Sequence, residues 1–216
     1  MKSTSLFAIA AASTLAACGG SGGGGAVTPV PVPVPAVEFE AGVVTTNADG
    51  SFTIVQGGET INLPASRFTS NGQLAWQTGF NGGVDNANSF ITDDVTAIGG
   101  VSGGAGGTAF SGITGTLGDA PAGDATFDGR FAVSETSGAG RTGPISLVYD
   151  LSGNTLESAA GAALVVDGDV ASNGQVTGSV TFGSETAEFE GGFYGDDAVA
   201  GAFNNDAIGG VFYGTN

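Results

Sequence analysis

From residue 125 onward, apolar and polar side chains alternate with a period of two. Ala125 to Val133 places Phe127, Gly129, Phe131 and Val133 on one face and Asp128 and Arg130 on the other. Ile145 to Leu151 repeats the pattern with Ile145, Leu147, Tyr149 and Leu151. Ala163 to Val170 sets Leu164, Val166, Gly168 and Val170 against Asp167 and Asp169. Gln175 to Gly183 sets Val176, Gly178, Val180 and Phe182 against three hydroxyl residues, and Ala187 to Gly195 sets Phe189, Gly191 and Phe193 against Glu188, Glu190 and Tyr194. Such alternation predicts strands with one face buried and the other in water. The turn signals Ser152-Gly153-Asn154 and Ser172-Asn173-Gly174 separate them. After residue 100 the one segment suited to a short helix is 155–163, where Ala and Leu cluster.

The first half is less regular. Val37-Glu38-Phe39-Glu40 alternates apolar and acidic residues. Ser51–Val55 and Thr60–Leu63 flank Gln56-Gly57-Gly58-Glu59, which predicts a hairpin around a Gly-Gly turn. Trp76, Phe80 and Phe90 are expected to pack in a core or on a sheet. Asn81–Asn88 reads as a polar loop, and the Gly/Ser-rich stretch 99–107 as another.

Short antiparallel strands with one apolar face must form a sandwich or close into a barrel. Glycines on the apolar face favour the barrel, because a narrow barrel needs small residues beside large Phe rings to fill its interior. The opposite faces are polar and are expected to meet water. A lipid-embedded barrel needs an apolar outer band instead.

The first eighteen residues have another pattern. Lys2 precedes an almost wholly apolar run of twelve residues, Leu6 to Ala17. That run is shorter than the ~20 residues a spanning helix needs, and it suits the core of an export signal. It ends in Leu15-Ala16-Ala17-Cys18, which resembles the lipobox of bacterial lipoproteins. The resemblance implies cleavage before Cys18, acylation of that cysteine, and a membrane anchor of three acyl chains; one chain alone would hold only marginally. Cleavage near Ala17 with a free Cys18 is the alternative. Gly19, where an Asp would favour the inner membrane, implies the outer membrane. Residues 19–28 are Gly/Ser-rich, and 29–35 read Pro-Val-Pro-Val-Pro-Val-Pro. This predicts a flexible foot and a stiff polyproline II section, together a tether.

Removal of 1–17 changes the available chemistry. Lys2 and Met1 are the only lysine and methionine, and the chain has no histidine. The remaining three arginines, Arg67, Arg130 and Arg141, face 21 acids, a net charge of −18. Such a chain repels phosphate backbones, so no nucleic-acid partner is expected. No disulfide can form from one cysteine. Forty-one glycines without a strict three-residue period fit many turns and curved strands.

Two segments repeat: Gly191-Gly192-Phe193-Tyr194-Gly195 and Gly209-Gly210-Val211-Phe212-Tyr213-Gly214. With Phe189-Glu190 before them, and Ala198 and Gly201-Ala202-Phe203 between, they resemble the C-terminal signature of the transferrin-binding protein B barrel domain. In that family the strand ends in Phe-Tyr-Gly-Pro; here Asp196 stands at the proline. The resemblance covers about 30 residues well and about 100–120 loosely. It implies an all-β fold: a soluble antiparallel eight-stranded barrel, with or without a small N-terminal β handle. It also implies a surface lipoprotein of the outer membrane that binds iron carriers, haem proteins or other host proteins. The motif residues themselves are structural, so they assign no ligand-binding residue.

The expected organisation is a signal at 1–17, a lipidated Cys18 with its tether to 36, an N-terminal β region at 37–100, and the barrel at 101–216. Absent histidine and lysine remove histidine-based triads, imidazole metal ligands and Schiff bases. No catalytic residue, cofactor or metal site is expected. Haem could take an axial oxygen only from Tyr149, Tyr194 or Tyr213. The acids Asp93-Asp94, Asp167-Gly168-Asp169 and Asp196-Asp197 lack EF-hand spacing and read as solvated. Three functions compete: a binding module for a protein or small solute, with the bilayer as its other partner through Cys18; a structural or adhesive surface lipoprotein without a specific ligand; and a carboxylate-dependent hydrolase. The first is preferred.

Overall fold

Hydrogen-bonded strands make up nearly all the regular structure. The computed structural model describes residues 39–64, 75–80, 85–103 and 105–216, with side chains from 75 to 85 outside the description, and no helix occurs among the described residues. Val43–Thr46 (β1), Phe52–Gln56 (β2) and Glu59–Leu63 (β3) form one sheet. Ala75–Phe80 (β4), Asp85–Ile91 (β5), Val95–Ser102 (β6) and Thr108–Gly115 (β7) form a second. The remaining eight are Ala125–Glu135 (β8), Gly140–Asp150 (β9), Thr155–Ser158 (β10), Leu164–Val170 (β11), Gln175–Phe182 (β12), Glu185–Tyr194 (β13), Ala198–Asn204 (β14) and Ile208–Thr215 (β15). They close a barrel in chain order, and β15 returns to β8 from Ile208↔Glu135 to Thr215↔Asp128. The fold is thus an all-β antiparallel eight-stranded barrel with two smaller sheets.

The β2–β3 hairpin follows from its turn. Gly57 and Gly58 have φ of 58° and 84°, the paired left-handed conformation that matches strand twist and that other residues resist. The barrel interior follows from the alternation. Phe127, Phe131, Val133, Ile145, Leu147 and Tyr149 all point inward with Leu164, Val166, Phe189 and Phe193. Leu151 does not join them; it lies in the turn past β9 and is 43% exposed.

Phe rings fill the space that interior glycines leave. Phe131 pairs with Gly143 across β8–β9, and a Cβ on Gly143 would lie 2.6 Å from the Phe131 ring. Phe203 and Phe212 cover Gly210 and Gly201 in the β14–β15 pair. Phe189 and Phe212 then meet edge-on with centroids 5.1 Å apart. Aromatic cover of strand glycines restores the packing that the missing side chains would have supplied.

Polar outward faces were expected all round the barrel. They occur on β11 and β12, where Asp167, Asp169 and Thr177 are exposed. The β14–β15 face differs, because the four-stranded sheet covers it. Ala97 packs with Ala202 and Val211, and Phe90 with Tyr194, Ala200 and Tyr213. The Phe90 and Tyr213 rings stack at 4.0 Å and 6°. The approach is so close that a Cβ on Gly99 would lie 2.5 Å from the Gly210 carbonyl oxygen. The outer side of this sheet packs Ala87, Ile98 and Phe110 against Val44, Phe52, Ile54 and Leu63 of the small sheet.

These layers correct several expectations. Gly99 to Ser102 belong to β6, not to a loop; the missing side chain of Gly99 permits contact with the Gly210 backbone of the barrel. Residues 85–88 are the start of β5, not loop, and Ala87 and Asn88 are fully buried. Residue 101 therefore falls inside the four-stranded sheet, and barrel strands begin at Ala125. Residues 155–163 form no helix; β10 occupies 155–158 and a turn follows. Phe90 is buried as expected, whereas the side chains of Trp76 and Phe80 lie outside the described residues.

Candidate functional site

The inward-facing side chains of Phe131 and Ile145 are reached from an opening in the barrel wall. A concavity of about 780 Å³ lies beside β9. Its origin is a mismatch of strand lengths. The β8–β9 ladder has ten register pairs, from Ser134↔Gly140 to Ala125↔Tyr149. The β9–β10 ladder has four, from Ser158↔Leu147 to Thr155↔Asp150. The chain leaves β9 at Ala159, whose N–H donates to the Ser146 carbonyl at 2.8 Å. Residues 140–145 then continue as an overhang paired on one side to β8.

The cleft lies between this overhang and the turn Ala159-Ala160-Gly161-Ala162-Ala163. Gly161, within this turn, has φ of 83°, a conformation that favours glycine. Phe131, Ile145 and the half-buried Phe182 form an apolar floor, with Phe131 and Phe182 centroids 6.0 Å apart. Asp128 and Arg141 supply the charges at the rim, and both are exposed. The five small residues are legible in sequence, but their composition suits a helix as well as an open turn. Pro144, inside β9, was the missed signal.

Two smaller concavities are polar. One, of about 380 Å³, lies among Gln56, Glu59, Thr108, Asn204 and Asp206. Beside it, Gln56 Nε2 and Ser111 Oγ both donate to Asn204 Oδ1, at 2.8 and 2.7 Å. The Ser111 N–H donates to Gln56 Oε1 at 3.1 Å. These groups satisfy one another and clamp the three sheets together. The other, about 80 Å³, has Asp119, Asp196 and Asp197 around it.

The three tyrosines are not placed to hold haem. Tyr149 is 1% exposed in the barrel core, and its ring meets Phe193 edge-on. Tyr194 and Tyr213 are buried between barrel and sheet. None lines the cleft beside β9. Among the described residues, no three acidic, cysteine or histidine side chains converge as a metal site. Asp93 and Asp94 sit in a tight turn where Thr92 Oγ1 accepts the N–H groups of Asp94 and Val95. Asp167 and Asp169 point outward from β11. Cys18 and Arg67 lie outside the described residues.

Burial raises the Tyr194 hydroxyl above its ordinary range, and the negative charge of Glu190 adds to the shift. Glu190 itself accepts the Ala41 N–H at 3.1 Å and Gln175 Nε2 at 3.0 Å. A raised tyrosine pKa means that the fold binds the proton more tightly than the unfolded chain does. Below pH ~10 both states are protonated and the contribution is intact. As pH rises past ~10 the unfolded chain ionises first, so stability falls. The melting temperature is expected to drop between pH 9 and 12, and the drop to be shallower in Tyr194→Phe. Equal slopes would show that Tyr194 is not the coupled group.

No known family model and no curated protein sequence matches the chain. Among solved structures it is similar to the apo haemoglobin receptor HpuA from Kingella denitrificans. That match has a TM-score of 0.46 and 13% identity, over 81% of this chain and 89% of that one. HpuA from the same organism in complex with human haemoglobin gives a TM-score of 0.45 and 14% identity, over 86% and 94%.

Proposed function

We propose that the chain is a non-catalytic binding module, held at the outer membrane surface through acylated Cys18, that takes its ligand in the cleft beside β9. The observation that carries this reading is a cleft of about 780 Å³ with an apolar floor, open at the edge of β9. Ligand clefts are typically 300–1,000 Å³ and mostly apolar, with a few polar groups that fix orientation. The lining of Phe131, Ile145, Phe182 and the alanine turn, with Asp128 and Arg141 at the rim, fits that description. The ligand class follows from the sequence resemblance: an iron or haem carrier. The buried tyrosines favour a carrier protein over free haem, since haem would find no axial oxygen at the cleft. An acidic chain also steers toward basic surfaces.

A structural coat without a ligand is the second reading. Its support is the polar character of turn tips such as Ser137-Gly138, Gly183-Ser184 and Asn205-Asp206.

Calorimetry of the full chain in detergent micelles against haemoglobin, transferrin and haemin separates the two. The binding module gives saturable binding to a carrier protein, and Ala160→Trp, which fills the cleft from an exposed position, weakens it tenfold or more. Flat titrations with all three probes favour the coat.

A further inference from the structure

The overhang of β9 is a strand edge with a defined chemistry. Backbone groups along a strand alternate in direction. The Ala139 carbonyl accepts the Glu135 N–H of β8, and the Ser146 carbonyl accepts the Ala159 N–H on the opposite side. Odd-numbered residues of β9 therefore serve β8, and even-numbered ones face β10 where it exists. Past Ser146 it does not exist. The Thr142 N–H and the carbonyls of Thr142 and Pro144 consequently point along the open edge above the cleft.

Pro144 sits where its missing N–H costs the β8 ladder nothing, because that N–H would have faced the open side. Proline on an edge strand is a device against indiscriminate pairing. Here it acts selectively. A second copy pairing antiparallel about Gly143 would set Thr142 opposite Pro144 and lose a bond at each of the two crossings. Two chains of net charge −17 would also repel. A foreign strand still finds a donor and an acceptor at Thr142 and an acceptor at Pro144.

We propose that the cleft accepts an extended, neutral-to-basic polypeptide segment of a partner protein, which adds to β9 as an antiparallel strand. This rests on the reading of the cleft as the ligand site. Strand addition draws affinity from main-chain bonds and specificity from pockets that take alternate side chains. The floor of Phe131, Ile145 and Phe182 supplies the pocket, and the small residues of the 159–163 turn leave room for the added strand. The negative charge of the chain selects against acidic segments.

The test selects linear dodecapeptides from a random phage-displayed library on the full chain in micelles, then measures synthetic copies by calorimetry. The expected peptides alternate apolar and polar residues and bind saturably. Thr142→Pro, which removes the open-edge donor, weakens them at least tenfold, while Thr142→Val, which keeps the donor, leaves affinity within twofold. Pro144→Val adds a donor and tightens binding. Because Thr142→Pro could disturb folding, peptides N-methylated at alternate residues are measured on the unaltered chain as well, and they bind at least tenfold more weakly. Recovery of no saturable peptide, or equal effects of Thr142→Pro and Thr142→Val together with no effect of N-methylation, overturns strand addition. If Ala160→Trp still abolishes carrier binding in that case, the cleft remains the ligand site and only the proposed occupant fails; if Ala160→Trp is also silent, both readings fail.

Discussion

Cys18→Ser is expected to move the protein entirely from the membrane fraction to the soluble fraction. The physical reason lies in the faces of the barrel. A lipid-facing barrel needs a continuous apolar band. On β11 to β13 the outward residues include Asp167, Asp169, Thr177 and Glu188, all exposed. On β14 and β15 the outward residues are apolar, but the four-stranded sheet covers them. Neither face can enter hydrocarbon. The exposed large apolar residues, such as Val43, Val55, Val148 and Val165, are scattered rather than banded. Among the described residues no helix is long and apolar enough to cross a membrane. The proposed anchor is for this reason covalent, and Cys18 is the only thiol in the sequence. Each buried CH₂ of an acyl chain is worth about 0.8 kcal/mol, so losing all of them leaves nothing comparable in its place. Fractionation and the mass of the N-terminal peptide read the result. Retention of the serine variant in membranes would mean that another surface binds lipid, and the soluble-barrel reading would fail.

Much of the barrel was legible in the chain because its strands obey a single rule: one face in, one face out. Phe127, Phe131, Leu147, Val166 and Phe189 all sit where their period of two puts them. The Gly57-Gly58 hairpin was legible because only glycine accepts both positive φ values readily. The rule breaks where both faces are buried. Ala97 to Val101 and Ala198 to Phe203 are strands covered on both sides, so their small residues carry no alternation to read. Gly99 and Gly100 looked like a loop for the same reason that they form a tight interface: neither has a side chain. The candidate site was hidden differently. Nothing in Ala159-Ala160-Gly161-Ala162-Ala163 says that β10 stops after four residues, because strand length is set by the pairing of β9 with its neighbours. Pro144 was the one local sign of an open edge, and its meaning depends on knowing which side of β9 faces β8.

Phe212→Ala is expected to be the most destabilising single change in the barrel core. Phe212 is fully buried, meets Phe189 edge-on, and lies over Gly201 of the neighbouring strand. Phe→Ala in a core costs about 3–5 kcal/mol, from lost transfer energy and the cavity left behind. For a domain of this size that corresponds to a fall in melting temperature of roughly 6–20 °C. The glycine beneath makes the cause testable. A Cβ on Gly201 would lie 2.4 Å from the Phe212 ring, and the three nearest atoms are all from that ring. Gly201→Val alone should therefore overpack the core and cost about 1–3 kcal/mol. In the Phe212→Ala background the same valine enters the vacated space, and Val suits a strand better than Gly. The double variant should be more stable than the sum of the two single effects by about 1 kcal/mol or more, the size of coupling typical of residues in direct contact. Thermal or denaturant unfolding of the four chains measures it. Strict additivity would show that Phe212 does not rest on Gly201, and the account of the interior as rings seated on glycines would lose its best-defined pair.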